Sequence, residues 1–174
     1  GRFGTSEYGK SKKAGEELMF EYGQETGAKA LVYRFPNLFG KWCRPNYNSA
    51  IATFCYNISH DLPISISNPS NIVSLVYIDD VVKAFISEIE SESITGVRYA
   101  EIEMSYEVSL ADLVALITSF KDMRQSLVLP DFNSSFTRKL YATYLSYLEK
   151  DDFCYNLKIN TDNRGSLAEF IKSP

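Results

Sequence analysis

The chain has 174 residues, 18 basic against 22 acidic side chains for a formal net charge of −4, and 45% hydrophobic content. That is one domain's worth of polypeptide, or pieces of two, and 14% aromatic with 23% charged residues can bury a core, which excludes a disordered tail. The acidic balance and the lack of a Lys/Arg-rich run argue against nucleic acid as a partner. Apolar runs such as 72–78 are far shorter than the roughly 20 residues of a membrane span, and the opening Gly1-Arg2-Phe3-Gly4 carries no apolar leader, so the expectation is a cytoplasmic protein with no membrane partner.

From residue 10 to 26 the apolar positions Ala14, Leu18, Met19 and Tyr22 recur at three and four, and Gly27 follows as a stop, which predicts a helix. Residues 28–33 read as a buried strand leading into a loop, 34–48, that is rich in Pro, Asn, Gly and aromatics. A helix is expected over 49–59, then strands at 64–66 and 72–78 around a turn at Asn68-Pro69-Ser70-Asn71. Asp79 is placed to cap a helix running through Val81, Val82, Phe85, Ile86 and Ile89. A strand over 96–102 follows. Ser109 with Asp112 then opens a helix to Phe120 whose apolar stripe reads as core, and 136–148 suggests one more helix. After Asp151 the alternation Phe153, Tyr155, Leu157, Ile159 fits a strand. Strands and helices that alternate in this way indicate an α/β sheet.

Three cysteines (Cys43, Cys55, Cys154) and one histidine (His60) lack the close pairing of a zinc site, so no metal is expected. The cysteines read as packed free thiols and His60 as a partner for a helix C-terminus.

Two motifs share the first dozen residues. Gly4-Thr5-Ser6-Glu7-Tyr8-Gly9-Lys10-Ser11 satisfies the phosphate-loop pattern G-x4-G-K-S, but the buried strand that must precede such a loop is missing. The same stretch holds YGKSK, with Tyr8 and Lys12 four apart at a helix start and therefore on one face. A free tyrosine titrates near 10, and an ammonium group close by stabilises its phenolate, so the pair can handle a proton near neutrality.

With the sequel, the chain resembles the extended short-chain dehydrogenase/reductase family, also called NAD-dependent epimerase/dehydratase. That family's Tyr-x-x-x-Lys helix is followed by an Arg-x-x-Asn-x-x-Gly loop, here RFPNLFG at 34–40, and by a strand entering an Asp pair, here VYIDD at 76–80. The stretch KWCRPNYNSAIATFCYNI at 41–58 is similar to bifunctional capsular-polysaccharide enzymes that join a UDP-sugar 4-keto reductase to a cupin epimerase. DNRGSLAEF at 162–170 is similar to the D-x-R-G-x-x-x-E-F opening of such cupins. The resemblance implies an α/β fold, the C-terminal half of a Rossmann-like domain with its substrate-binding subdomain. Residues 1–7 would be a tag or junction remnant, 8–152 that half-domain, and 153–174 a linker with the first strand of a truncated cupin. The family's glycine-rich dinucleotide loop and its catalytic Ser or Thr belong upstream of Tyr8. None of the nine glycines forms G-x-x-G-x-x-G, and the expectation is a fragment inactive alone.

The resemblance also implies roles. Tyr8 would donate a proton to the sugar's keto oxygen while NADPH, or NADH, delivers hydride; Lys12 would acidify Tyr8 and bind the nicotinamide ribose. Phe35 and Pro36 would line the nicotinamide. Asn37, Arg44, Asn46, Tyr47 and Asn48 would hold the UDP-sugar, and the full-length parent would be a homodimer. The alternatives are a nucleotide-triphosphate module, or a docking domain that uses the apolar surplus of 136–148.

Overall fold

The structure, a computed structural model, describes residues 6–91 and 96–172. Residues 1–5 of the expected junction lie outside the described residues. In chain order the elements are α1 (Glu7–Thr26), β1 (Ala30–Tyr33), β2 (Asn37–Phe39), α2 (Ala50–Ser59), β3 (Ile72–Tyr77), α3 (Ile78–Glu90), β4 (Val97–Ala100), β5 (Tyr106–Ser109), α4 (Leu110–Ser126), α5 (Ser135–Leu145), β6 (Ile159–Asp162) and β7 (Gly165–Ala168). They fall into two compact units. One comprises Gly1–Leu38 with Val76–Ser105, the other Phe39–Leu75 with Tyr106–Pro174.

In the first unit, the Ser6 hydroxyl accepts the Gly9 N–H at 3.2 Å, and Gly27, at φ 71°, ends α1 in the left-handed region that glycine enters without a Cβ clash. The helix thus starts three residues before the periodicity predicted. That extra turn removes the phosphate loop: residues 7–11 are helical, and the Gly9 and Lys10 N–H groups go to the side chain and carbonyl of Ser6 rather than out toward an anion. α1 then lies on the parallel pair β1–β4, registered Ala30↔Val97 through Tyr33↔Ala100. Gly23 marks the closest approach, because a Cβ there would run into Val97 Cγ1 and stand 3.0 Å from the Ala30 Cβ.

The helix α3 leaves β3 with no intervening loop. Its N-cap position is Tyr77, whose side chain does not cap the helix, and not the expected Asp79, which sits with Asp80 inside the first turn. There the two carboxylates complement the positive end of the helix. Lys29 and Arg98 flank Glu88 of α3, with a Lys29–Glu88 separation of 2.9 Å; hydrogen bonds from Lys29 and then Arg98 hold the Glu88 carboxyl below the ordinary carboxylate range. Val82, Ile86 and Ile89 remain exposed along the helix.

The core of the second unit forms where α2, α4 and α5 pack together around Cys55, Leu113, Ile117, Phe120, Leu140 and Tyr144, all at 1% exposure or less. Burial drives the Cys55 thiol strongly upward and raises Tyr144 to about 12, so neither ionises at neutral pH. Of the apolar surplus over 136–148 that the docking alternative would use, Leu140 and Tyr144 of α5 and Tyr147 just past it are buried in the core, because two helices converge on that face. α4 is capped as its sequence predicts, with the Ser109 hydroxyl accepting the Asp112 N–H at 3.0 Å. β3 pairs antiparallel with β5, Ile72↔Ser109 to Leu75↔Tyr106. His60 caps α2, its N–H donating to the Tyr56 carbonyl at 3.1 Å and its ring stacked on Tyr56 at 4.1 Å.

Two expected strands are absent. Residues 64–66 form no strand, although the adjacent turn forms as predicted, with the Asn71 N–H donating to the Asn68 carbonyl at 3.1 Å. The alternation from Phe153 to Ile159 yields a 3-10 turn (Lys150–Phe153) and irregular chain, and only from Ile159 does a hairpin, β6–β7, begin. β2 and β5, in turn, are strands that periodicity missed.

Candidate active site

The spacing that suggested a Tyr–Lys pair is realised on α1. Lys12 Nζ lies 5.4 Å from the centre of the Tyr8 ring, and the ring is 73% exposed, facing outward from its unit rather than into the core. Charge and phenol are therefore neighbours on a surface open to a ligand.

At the end of β1 the aromatic loop begins. Phe35 stacks on Tyr33 with centroids 5.4 Å apart and planes 11° apart, and both rings approach Phe85 of α3. Pro36 is half-buried, and the exposed Asn37 opens β2. Between α1 and this loop lies a cluster that the sequence did not single out. Arg34 forks onto Glu16 (Nε–Oε1 3.2 Å, Nη2–Oε2 2.7 Å), while the Tyr99 hydroxyl accepts from Arg34 at 3.0 Å and donates to Glu16 at 3.1 Å. The Arg34 guanidinium lies 4.4 Å from the Tyr99 ring centre, and Phe20 meets that ring edge-on at 4.9 Å. Arg34 holds the Glu16 carboxyl below the usual range, and burial followed by the Glu16 bond raises Tyr99. Two signals were available, Arg34 opening the RFPNLFG motif and Glu16 standing one turn after Lys12, but nothing in the sequence joins them.

The remaining predicted residues belong to the second unit. Trp42 and Asn46 have φ of 63° and 55°, so the loop winds through two left-handed positions without glycine. The Asn46 N–H donates to Thr53 Oγ1 at 2.9 Å, and Tyr147 and Ser146 grip Cys43 and Trp42 from behind. Arg44 stands 5.6 Å from the Tyr47 ring, itself 71% exposed. Asn46, Tyr47 and Asn48, with the α2 cap Ser49, line a cleft of about 470 Å³ whose other wall carries Ser65 and Ser67. Hydroxyls, amides, a ring and a helix N-terminus in one cleft suit a polar ligand with an anionic part. Ser65 was missed because it falls inside the strand expected at 64–66, and Ser67 because it directly follows that strand.

Residues 4–98 match the NAD dependent epimerase/dehydratase family. The chain belongs to that family. It is 43% identical over 168 residues to UDP-2-acetamido-2,6-beta-L-arabino-hexul-4-ose reductase of Pseudomonas aeruginosa, a match covering 97% of this chain and 45% of the relative. The capsular polysaccharide assembling protein CapF of Staphylococcus aureus superposes with a TM-score of 0.90 at 43% identity, over 98% of this chain and 46% of that one. The UDP-glucose 4-epimerase of Thermus thermophilus, at 17% identity and a TM-score of 0.61 over 80% of this chain and 53% of that one, shares the α/β fold. The chain spans about half the length of the relatives it matches.

Proposed function

We propose that this chain is the proton-donating and sugar-binding part of a cytoplasmic, homodimeric reductase that acts on the 4-keto group of a UDP-linked N-acetyl deoxyhexose for capsular polysaccharide. The observation that carries the reading is the Lys12 ammonium beside the exposed Tyr8 phenol. Tyr8 Oη donates its proton to the keto oxygen, and the positive charge of Lys12 favours the phenolate left behind. A nicotinamide cofactor, NADPH in this reading, supplies the hydride when bound. The residues present fit its nicotinamide-ribose end: Lys12 offers donors to ribose hydroxyls, and Phe35 with Pro36 offers a flat apolar wall. The pyrophosphate end requires a glycine-rich loop that these residues do not form, so turnover depends on polypeptide beyond them, and the exposed Val82, Ile86 and Ile89 of α3 suit cover by it. Asn37 reaches the sugar, while Arg44, Asn46, Tyr47 and Asn48 hold the uridine diphosphate. In this reading, residues 153–174 begin a cupin domain, for which the β6–β7 hairpin is a suitable first element.

The test is NADPH oxidation by the enzyme carrying both this segment and the dinucleotide-binding segment, with the UDP-4-keto sugar as substrate. Tyr8→Phe abolishes turnover and leaves the circular dichroism spectrum and melting temperature unchanged. Normal turnover in that variant overturns the reading.

A further inference from the structure

Tyr8, Lys12 and Glu16 follow one another at four-residue steps on α1, so the side chain of Glu16 starts within reach of Lys12. The same helix shows what that spacing does when nothing interferes: Lys13 and Glu17, one position further on and both exposed, pair at 3.7 Å. Glu16 behaves differently. Its two oxygens are taken by the Arg34 fork at 3.2 and 2.7 Å, with the Tyr99 hydroxyl as a third donor at 3.1 Å, and its side chain is 14% exposed against 61% for Glu17. Lys12 turns its ammonium the other way, to 5.4 Å from the Tyr8 ring.

We infer that Arg34 is a positioning residue which, with Tyr99, draws the Glu16 carboxylate off Lys12 so that the Lys12 charge serves Tyr8. The inference rests on the reductase reading above and adds to it the control of the Tyr–Lys pair from a neighbouring strand. A planar guanidinium suits this task because its two parallel bonds hold both carboxylate oxygens in one orientation, which a lysine's point charge does not. Arg34 immediately precedes Phe35 and Pro36, so the same fork ties the helix bearing the proton donor to the loop proposed for the nicotinamide. Because Arg34 keeps the Glu16 carboxyl low, the negative charge it restrains is permanent at working pH.

The experiment measures the pH dependence of kcat for the enzyme carrying both segments, in wild type, Arg34→Met, Glu16→Gln, the double variant and Tyr8→Phe. In Arg34→Met the released carboxylate pairs with Lys12; kcat falls on the order of tenfold, and the alkaline limb moves up by about one pH unit, since a phenol without its ammonium neighbour gives up its proton less readily. Glu16→Gln loses some rate but leaves the limb in place. The double variant has no carboxylate to release and regains the rate and the limb of Glu16→Gln. Arg34→Lys, a milder change, moves the limb the same way by less, and supplies the readout if Arg34→Met does not fold. A double variant as impaired as Arg34→Met, or an unmoved limb in both Arg34 variants, overturns the inference. Tyr8→Phe separates the two ideas: its inactivity beside an unmoved limb sinks only the positioning role, whereas its full activity sinks the reductase reading itself.

Discussion

The Tyr147 hydroxyl donates to the Cys43 carbonyl at 2.6 Å, joining the chain just past α5 to the loop after β2 across 104 positions. The neighbouring Ser146 hydroxyl accepts the Trp42 N–H at 3.3 Å, so two consecutive residues fasten two others. Burial pushes the Tyr147 phenol upward, which keeps its proton available for donation. The fastening matters because Trp42 holds a left-handed backbone angle that its bulky side chain disfavours, whereas Asn46, also left-handed, is of a type that tolerates it. Tyr147→Phe keeps the ring and orphans the carbonyl. It is expected to cost about 1–3 kcal/mol and to speed amide exchange over residues 41–48; an unchanged denaturant midpoint and exchange pattern would show that the bond contributes nothing.

Gly23 makes a prediction opposite in sign to helix propensity. Alanine is about 1 kcal/mol better than glycine inside a helix, yet here its methyl would strike Val97 and Ala30. Gly23→Ala should therefore destabilise by about 1–3 kcal/mol, and Val97→Ala in the same chain should recover part of the loss. Thermal unfolding of the two variants decides it, with a raised melting temperature for Gly23→Ala counting against the close approach.

Acid should loosen the first unit. Glu88 and Glu16 are both held below the ordinary glutamate value of 4.5, by Lys29 and Arg98 in one case and by Arg34 in the other. A depressed carboxylate releases its proton at lower pH in the folded chain than in the unfolded one. Its stabilisation is thus complete above 4.5 and is lost as pH falls below it. Urea midpoints measured across that range should drop on the acid side. Glu88→Gln should be less stable at neutral pH and show a shallower acid slope; the same slope as wild type would remove Glu88 from the account.

In the proposed reductase, Arg44→Met should raise the KM for the UDP-sugar on the order of tenfold and lower kcat much less, since Arg44 stands beside the Tyr47 ring in the second unit while Tyr8 and Lys12 lie in the first. Steady-state kinetics separates the two constants. A loss confined to kcat would move Arg44 out of the proposed binding group.

The sequence by itself determined whatever depends on neighbours within about one helical turn. The Ser109 cap, the Gly27 stop, the turn at Asn68 and the adjacency of Tyr8 and Lys12 all follow from contacts three or four residues long, and the order of motifs carried the family. Only the tertiary structure decided where partners must come from far along the chain. The alternation after Asp151 looked like a strand but found no ladder until Ile159 met Ala168, whereas β5 exists because β3 lies beside it. Leu140 and Tyr144 became core because α2 and α4 close over them. Glu16, Arg34 and Tyr99 stand on or beside three different elements, 18 and 83 positions apart, and the charge of such a side chain has no assigned partner until folding brings one within hydrogen-bond reach.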